Sequence, residues 1–189
     1  MRALRPLRLV LLCALLAGCV PSLHRLYDAK TLNFSPALLG AWQADQAGGQ
    51  GPVHFLFTRA AKPGLYRMVY VSGDNPPVTF RAALVRLDGR LYLDLIPRLP
   101  KAIGREGFLQ LHVLLWHSFA RVAITGHRLD LQLADPAWIS GYLRRHPAAL
   151  AHFSNKGLLY LTADTAALQR FVIAHQAMFA ATPTVFTRE

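Results

Sequence analysis

The fold is decided by residues 78–96, VTFRAALVRLDGRLYLDLI. Two apolar runs in this stretch flank the dipeptide Asp88-Gly89. Asp-Gly favours a two-residue hairpin turn, because such turns need positive φ at both central positions. In the second run leucine occupies every other position, at Leu91, Leu93 and Leu95, which is the period of a strand with one apolar face. The stretch therefore predicts an antiparallel β-hairpin.

Similar apolar runs occur on both sides of this hairpin, separated by turn residues as in antiparallel β-proteins. The turns are rich in glycine, proline and asparagine, for example SGDNPP at residues 72–77. The predicted strands are residues 41–45, 53–58, 65–71, 78–87, 90–96, 109–125, 128–134 and 158–161. They predict a mainly β fold, a roughly eight-stranded antiparallel barrel. A barrel of this size is just wide enough to be filled by side chains or to hold one small ligand.

Two helices are expected near the C-terminus. Asp135-Pro136 supplies a good N-cap followed by proline at the first helical position, and this helix should run to about Arg145. The second helix should start at residues 162–165 and run to about Ala180. Its apolar face is formed by residues three and four apart: Leu168, Phe171, Val172, His175, Met178 and Phe179. We expect that helix to pack on the barrel or to close one of its ends.

The N-terminus has the three zones of an export signal. A basic start, MRALRPLR, carries three arginines and no acid, and an unbroken apolar run covers residues 9–17. That run is too short to span a membrane, which takes about 20 residues. The signal ends in Leu16-Ala17-Gly18-Cys19, which resembles the lipobox of bacterial lipoproteins.

In that family the cysteine thiol takes a diacylglyceryl group, a dedicated peptidase cuts before it, and the new amine is often acylated. The resemblance implies that the peptidase recognises Leu16, Ala17 and Gly18, and that Cys19 is the lipidated residue. Two acyl chains are enough for stable membrane attachment. Val20 follows the cysteine. By resemblance to enterobacterial sorting, a residue other than Asp there favours the periplasmic face of the outer membrane.

The expected organisation is a signal peptide at residues 1–18, a lipidated tether at 19–35 and a single barrel domain at 36–189. Without the signal the chain has 18 basic and 10 acidic residues, a formal charge of +8. Export and the scattered placement of these charges exclude a nucleic-acid partner. The charge could contact anionic lipid or another envelope polyanion, or it could form a solvated basic surface. Cys13 leaves with the signal and Cys19 is lipidated, so a disulfide within the mature chain is excluded.

A further resemblance concerns the barrel itself. Gly40-Ala41-Trp42 resembles the Gly-x-Trp pattern of the first strand in calycin and lipocalin barrels, where the Trp plugs the closed end and packs on a basic side chain. Residues 38–42, 129–138 and 161–171 together resemble a group of uncharacterised small bacterial lipoproteins with calycin-like barrels. This resemblance implies the fold and the cellular address, and implies no activity.

Several side chains are candidates for a site. Trp42, Trp116 and Trp138 could line a ligand pocket or fill the core. Arg98, Lys101 and Arg105 lie in a basic loop that could contact anionic lipid, gate a barrel mouth or remain solvated. The histidines show no metal-ligand spacing, and no pair of acids is ordered for acid–base catalysis. We therefore expect no metal, no cofactor and no enzymatic activity.

Two functions remain open from the sequence. The first is a lipid-anchored binding protein whose barrel accommodates a small apolar or amphipathic molecule, such as a lipid. The second is a structural or interaction lipoprotein, with a filled barrel, that docks an envelope protein. A fully packed barrel interior would rule out the first.

Overall fold

The computed structural model describes residues 20–45, 51–99 and 113–189. It contains eleven strands and two α-helices within these ranges. The strands are β1 (Leu32–Asn33), β2 (Gly40–Asp45), β3 (Pro52–Arg59), β4 (Tyr66–Ser72), β5 (Val78–Leu87), β6 (Arg90–Pro97), β7 (Ser118–Thr125), β8 (Arg128–Leu133), β9 (His152–Asn155), β10 (Leu158–Leu161) and β11 (Thr184–Arg188). The helices are α1 (Pro136–Arg145) and α2 (Thr165–Ala174).

Eight of the strands close into an antiparallel barrel. Strands β2 to β8 follow one another as a meander, β5 pairs with both β4 and β6, and β11 lies between β8 and β2. The hairpin predicted at residues 78–96 is β5–β6, with Leu87 opposite Arg90 across the Asp88-Gly89 turn. Asp88 has φ of 46° and Gly89 of 74°, as that turn requires. The predicted fold class is confirmed, and the closed barrel is consistent with a calycin-like fold.

The eighth barrel strand is not the one that the sequence predicted. Leu158–Leu161 does form a strand, β10, but it pairs with β9 in a separate hairpin outside the barrel. The barrel is closed instead by Thr184–Arg188, where only Phe186 is buried, so the period-two apolar signal is missing. The predicted strand at residues 109–125 was also too long, since β7 begins only at Ser118.

Both helices begin where predicted. Asp135 accepts hydrogen bonds from the backbone N–H groups of Ala137 and Trp138, and Asp164 accepts one from Ala167. The second helix ends at Ala174, earlier than predicted, and a short 3-10 turn at Gln176–Met178 follows. Residues 178–180 are held to the end of β8 by backbone bonds, so a longer helix could not lead the chain into β11.

The protein has two hydrophobic cores separated by the barrel wall. The inner core lies within the barrel and includes Trp42, Phe57 and Leu129. The outer core lies between the barrel and the elements that cover it, including both helices and the β9–β10 hairpin, and it rests on outward-facing side chains such as Val85 and Tyr92. The helices therefore pack on the outer wall of β5, β6 and β7.

Residues 20–35 do not form the extended tether that the sequence predicted. Ser22 exchanges backbone hydrogen bonds with His117, and Leu23 donates its N–H to Leu161. Val20 and Leu26 are buried in the outer core, and β1 pairs with β5. Apolar residues at Val20, Leu26 and Tyr27 pin the segment to the wall, although Pro21 and mixed polarity suggested a spacer.

Among the helices of the described ranges, none is long and apolar enough to cross a membrane.

Candidate functional site

The barrel interior was the first candidate for a ligand site, and side chains fill it. Sixteen buried residues form its core, and the rings of Phe55 and Phe186 stack with centroids 4.4 Å apart. Phe57 meets Tyr66 edge to face at 6.3 Å. The interior is thus of the packed kind that an eight-stranded barrel permits.

Trp42 is a core residue at one end of this interior. It is fully buried, and its indole N–H donates to the carbonyl of Leu38 at 2.9 Å. The guanidinium of Arg188 lies 4.3 Å from the indole ring centroid and donates to the carbonyls of Leu39 and Ala37. Arg188 is the basic partner that the Gly-x-Trp resemblance implied but could not locate.

Gly40 makes this closure possible. Its φ is +116°, in the region that favours glycine, and an added Cβ would lie 2.7 Å from Nη1 of Arg188. The first residue of Gly-x-Trp is therefore required for both the backbone conformation and the space that Arg188 occupies.

A cavity lies where the β3–β4 turn meets β5 and the end of β6. We call it the basic groove, and its volume is about 530 Å³. Five cationic side chains line it: Arg59, Lys62, Arg67, Arg81 and Arg98. Its apolar lining comes from Leu65, Tyr66, Phe80, Ile96, Leu99 and Leu115, together with small or cyclic residues. Among the described residues that line the groove there is no acid.

Strand register concentrates the positive charge of the groove. Arg67 of β4 lies directly opposite Arg81 of β5, and Arg81 lies opposite Ile96 of β6. Like charges directly across a strand pair are destabilising. None of the ion pairs in the described part of the chain involves any of the five cations. A bound anion would relieve this repulsion.

The apolar side of the groove is rigid. The Tyr66 hydroxyl accepts from the backbone N–H of Ser35 at 2.7 Å and donates to its carbonyl at 3.0 Å. Phe34 stacks on the Tyr66 ring at 4.9 Å. Burial raises the pKa of Tyr66, so the phenol stays neutral beside the arginines. The groove therefore combines a cationic rim with an uncharged, ordered wall.

The three tryptophans do not converge on one pocket. Trp42 is in the inner core, whereas Trp138 stacks on Tyr142 on the outer side of the barrel, at 5.2 Å. Trp116 is half-buried and lies 4.9 Å from the ring of Tyr160. Arg98 lines the basic groove. The candidates Lys101 and Arg105 lie outside the described residues, as do Leu16, Ala17, Gly18 and Cys19.

Sequence reasoning missed a buried polar cluster in the outer core. Asp94 is 1% exposed, and its two carboxylate oxygens bond Nδ1 of His117 and the backbone N–H of Leu26, each at 2.7 Å. The sequence feature that could have indicated this cluster is an acid in the middle of an apolar strand, on the face that carries Tyr92. Asp94 and His117 thus hold the N-terminal segment, through Leu26 and the Ser22 bridge, against the wall.

Within the described ranges, no group of three or more histidine, cysteine, aspartate or glutamate side chains could hold a metal ion. His175, predicted on the apolar face of the second helix, packs among aromatic rings, 4.4 Å from Tyr142 and 4.5 Å from Phe171. Desolvation, and secondarily the charge of His146, lowers the pKa of His175.

Comparison of the chain with protein-family models, with curated proteins and with solved structures found no match.

Proposed function

We propose that this protein is a lipid-anchored envelope protein that binds an anionic amphiphile in the basic groove. One observation carries the proposal: five cationic side chains and no acid, among the described lining residues, surround a cavity of about 530 Å³ with an apolar wall. Cations recognise a phosphate or carboxylate head group, and the apolar wall accommodates part of an acyl chain.

The groove takes the place of the barrel interior in the ligand hypothesis. The inner core is packed by Trp42, Phe57 and their neighbours, which leaves the surface of the barrel for a small molecule. The expected ligand class, a lipid-like molecule, stays the same. Its expected charge becomes negative, because Arg67 and Arg81 lie side by side without an acidic partner among the described residues.

The anchor in this proposal rests on the sequence. Leu16-Ala17-Gly18-Cys19 matches a lipobox after a basic and an apolar zone, and lipid on Cys19 would attach the chain to the membrane. Val20 after the cysteine favours the periplasmic face of the outer membrane. We propose no enzymatic activity, cofactor or nucleic-acid partner.

A second candidate is an interaction lipoprotein that docks an envelope protein. The packed barrel interior favours it, because a filled barrel offers its outer surface alone for function. In this alternative the arginines of the basic groove would contact acidic side chains of the partner.

The test is native mass spectrometry of the full, lipidated protein in detergent with added short-chain phosphatidylglycerol, phosphatidylcholine or inorganic phosphate. We expect phosphatidylglycerol to remain bound, phosphatidylcholine to bind weakly, and phosphate alone to bind less than the lipid because it lacks an acyl chain. The double variant R67Q/R81Q should bind phosphatidylglycerol about tenfold or more weakly, since a charge-assisted hydrogen bond contributes about 1.5–3 kcal/mol.

The matched control is R144Q/R145Q, which removes the same charge from two exposed arginines at the end of α1. Equal loss of binding in both double variants would reduce the effect to net charge and contradict a built site. Equal binding of the anionic and the zwitterionic lipid would also contradict it. Phosphate binding as tight as that of the lipid would assign the groove to a free anion.

A further inference from the structure

Three short segments lie side by side on the outer core and form one small sheet-like layer. The first is the β9–β10 hairpin. Residues 21–23 run along its β10 edge, with Leu161 donating to Pro21 and Leu23 donating to Leu161. His117 then pairs with Ser22 on the other side. The layer therefore joins the start of the described chain to the C-terminal third and to the entry of β7.

The outward side of this layer is apolar and aromatic. Side chains alternate along extended chain, so the burial of Ser22, His117, Leu159 and Leu161 directs their neighbours outward. Leu23, Trp116, Leu158 and Tyr160 are such neighbours, and Phe153 lies opposite Tyr160 in the hairpin. We call these five residues the aromatic face. Leu158 is 59% exposed, Phe153 44% and Leu23 36%.

The rings of the aromatic face pack on one another. Phe153 lies opposite Tyr160 in the hairpin register, and the two rings stack at 4.8 Å with only 6° between their planes. Trp116 lies 4.9 Å from Tyr160 and 6.4 Å from Phe153. A cluster of three rings with exposed leucines beside it is a coherent surface, and single exposed apolar residues would not need an explanation.

The segments that form this face carry charges of one sign. The segments that form it, residues 20–26, 113–118 and 151–161, contain no aspartate or glutamate. These segments contain two exposed cations, Lys156 in the hairpin turn and Arg25 two residues after Leu23. Surfaces at a membrane–water interface are rich in Trp and Tyr with nearby Lys and Arg, because the cations contact anionic head groups.

The position of the anchor selects the membrane as the occupant. Val20 is buried at 3% exposure, and the adjoining Cys19 is one peptide away, about 3.8 Å between Cα atoms. The segment after it is fixed to the wall by the Ser22–His117 bridge and by Asp94. Without a spacer, a lipid on Cys19 would bring the start of this segment, and Leu23 with it, to the bilayer surface.

We propose that the aromatic face seats the domain on the same membrane that holds the Cys19 lipid, with its rings at the boundary between head groups and acyl chains. The inference rests on the anchor of the proposed function and adds a fixed orientation to it. Apolar faces of this kind enter a bilayer by about 5–10 Å. Leu115 lines the basic groove and adjoins Trp116, so this orientation places the groove near the lipid head groups.

The experiment is tryptophan quenching in the full-length protein, reconstituted into vesicles of phosphatidylethanolamine and phosphatidylglycerol with brominated acyl chains. Trp42 is fully buried in the barrel, which leaves Trp116 and Trp138 for comparison. We expect quenching in the wild type and in W138F, and loss of most of it in W116F. Quenching of W116F at the wild-type level would overturn the proposal.

A second pair of variants tests the face without touching a tryptophan. F153S/L158S should reduce quenching of Trp116, whereas L56S/V78S should not. Leu56 and Val78 are exposed to a similar degree, at 42% and 40%, on strands β3 and β5 of the barrel. Loss of quenching in both pairs of variants, or in neither, would contradict specific contact between the aromatic face and the bilayer.

Intact mass separates this proposal from the anchor. A lipidated protein in vesicles whose Trp116 is unquenched overturns the aromatic face and leaves the anchor standing. A protein without lipid on Cys19 that is nevertheless quenched through Trp116 supports the face and overturns the anchor. Protection of the face by a cross-linked protein, in vesicles where lipid does not quench it, would assign it to a protein partner and overturn the proposal.

Discussion

The two faces of the barrel wall differ between its two halves. On β3, Phe55 and Phe57 are buried inside the barrel, whereas Leu56 between them is exposed. On β5, four consecutive residues are buried, with Ala82 and Leu84 in the inner core and Ala83 and Val85 in the outer one. The outer face of β3 is therefore exposed to solvent at Leu56, whereas β5 is buried on both faces.

The inner and outer cores are also held in different ways. The inner core is closed by Trp42 and Arg188, a large ring under a guanidinium that binds the preceding backbone. The outer core is held to the wall by apolar packing and by Asp94, which is paired with His117 and the N–H of Leu26. The inner core depends on the volume of its buried side chains, and the outer core on a buried polar contact. Different mutations should therefore destabilise each core.

The largest expected effect is on the inner core. W42A removes a fully buried indole, leaves the Leu38 carbonyl without its donor, and should lower the free energy of unfolding by about 3–5 kcal/mol. Urea unfolding of the full chain in detergent, followed by circular dichroism, measures this loss. W138A is the matched control, because Trp138 is half-buried in the outer layer and should cost less. Equal losses would contradict the distinction between the two cores.

Some features of the two cores can be predicted from the local sequence, and others cannot. The β5–β6 hairpin, the N-cap Asp135 and the start of the second helix are local signals, and the structure contains them where the sequence predicted them. The partner of Trp42 could not be found locally, because Arg188 is far along the chain and lies on a strand with a single buried residue.

The candidate site was less predictable than the fold, since it depends on strand register. Arg98 was identified from its loop, but Arg67 and Arg81 became part of the basic groove only when β4 paired with β5. Likewise, the buried role of Asp94 depends on where residues 22–26 lie, and those residues look like a spacer in the sequence. Contacts between distant segments are what a local pattern does not contain.

A smaller loss of stability is expected when the N-terminal segment is released from the barrel wall. D94A removes the partner of His117 and leaves the Leu26 N–H without its buried acceptor, at a cost of about 1–3 kcal/mol for that unsatisfied donor. Hydrogen exchange should then accelerate at the amides of Ser22 and Leu26 while β3 amides keep their protection.

The control for that experiment is D130A. Asp130 is only partly buried, and its pair with the exposed Arg128 is a surface contact of about 0–1 kcal/mol. Exchange that accelerates equally in β3 and in residues 22–26 of D94A would show that the N-terminal segment and the barrel open as one unit.

The smallest expected effect is the pH dependence of the outer core. The pKa of His175 is lowered from its ordinary value of 6.5, chiefly by desolvation among the rings of Tyr142 and Phe171 and then by His146. The unfolded chain therefore binds a proton at a higher pH than the folded one, so stability falls as pH drops below 6.5 and levels off below the lowered folded pKa. H175Q should flatten this fall, measured as urea midpoints between about pH 7.5 and pH 5, around the ordinary titration range of histidine.

H127Q, in the exposed turn between β7 and β8, controls for removal of a histidine elsewhere. A fall as steep in H175Q as in the wild type would show that the acid sensitivity of the outer core comes from other groups, and would leave His175 as a packing residue alone.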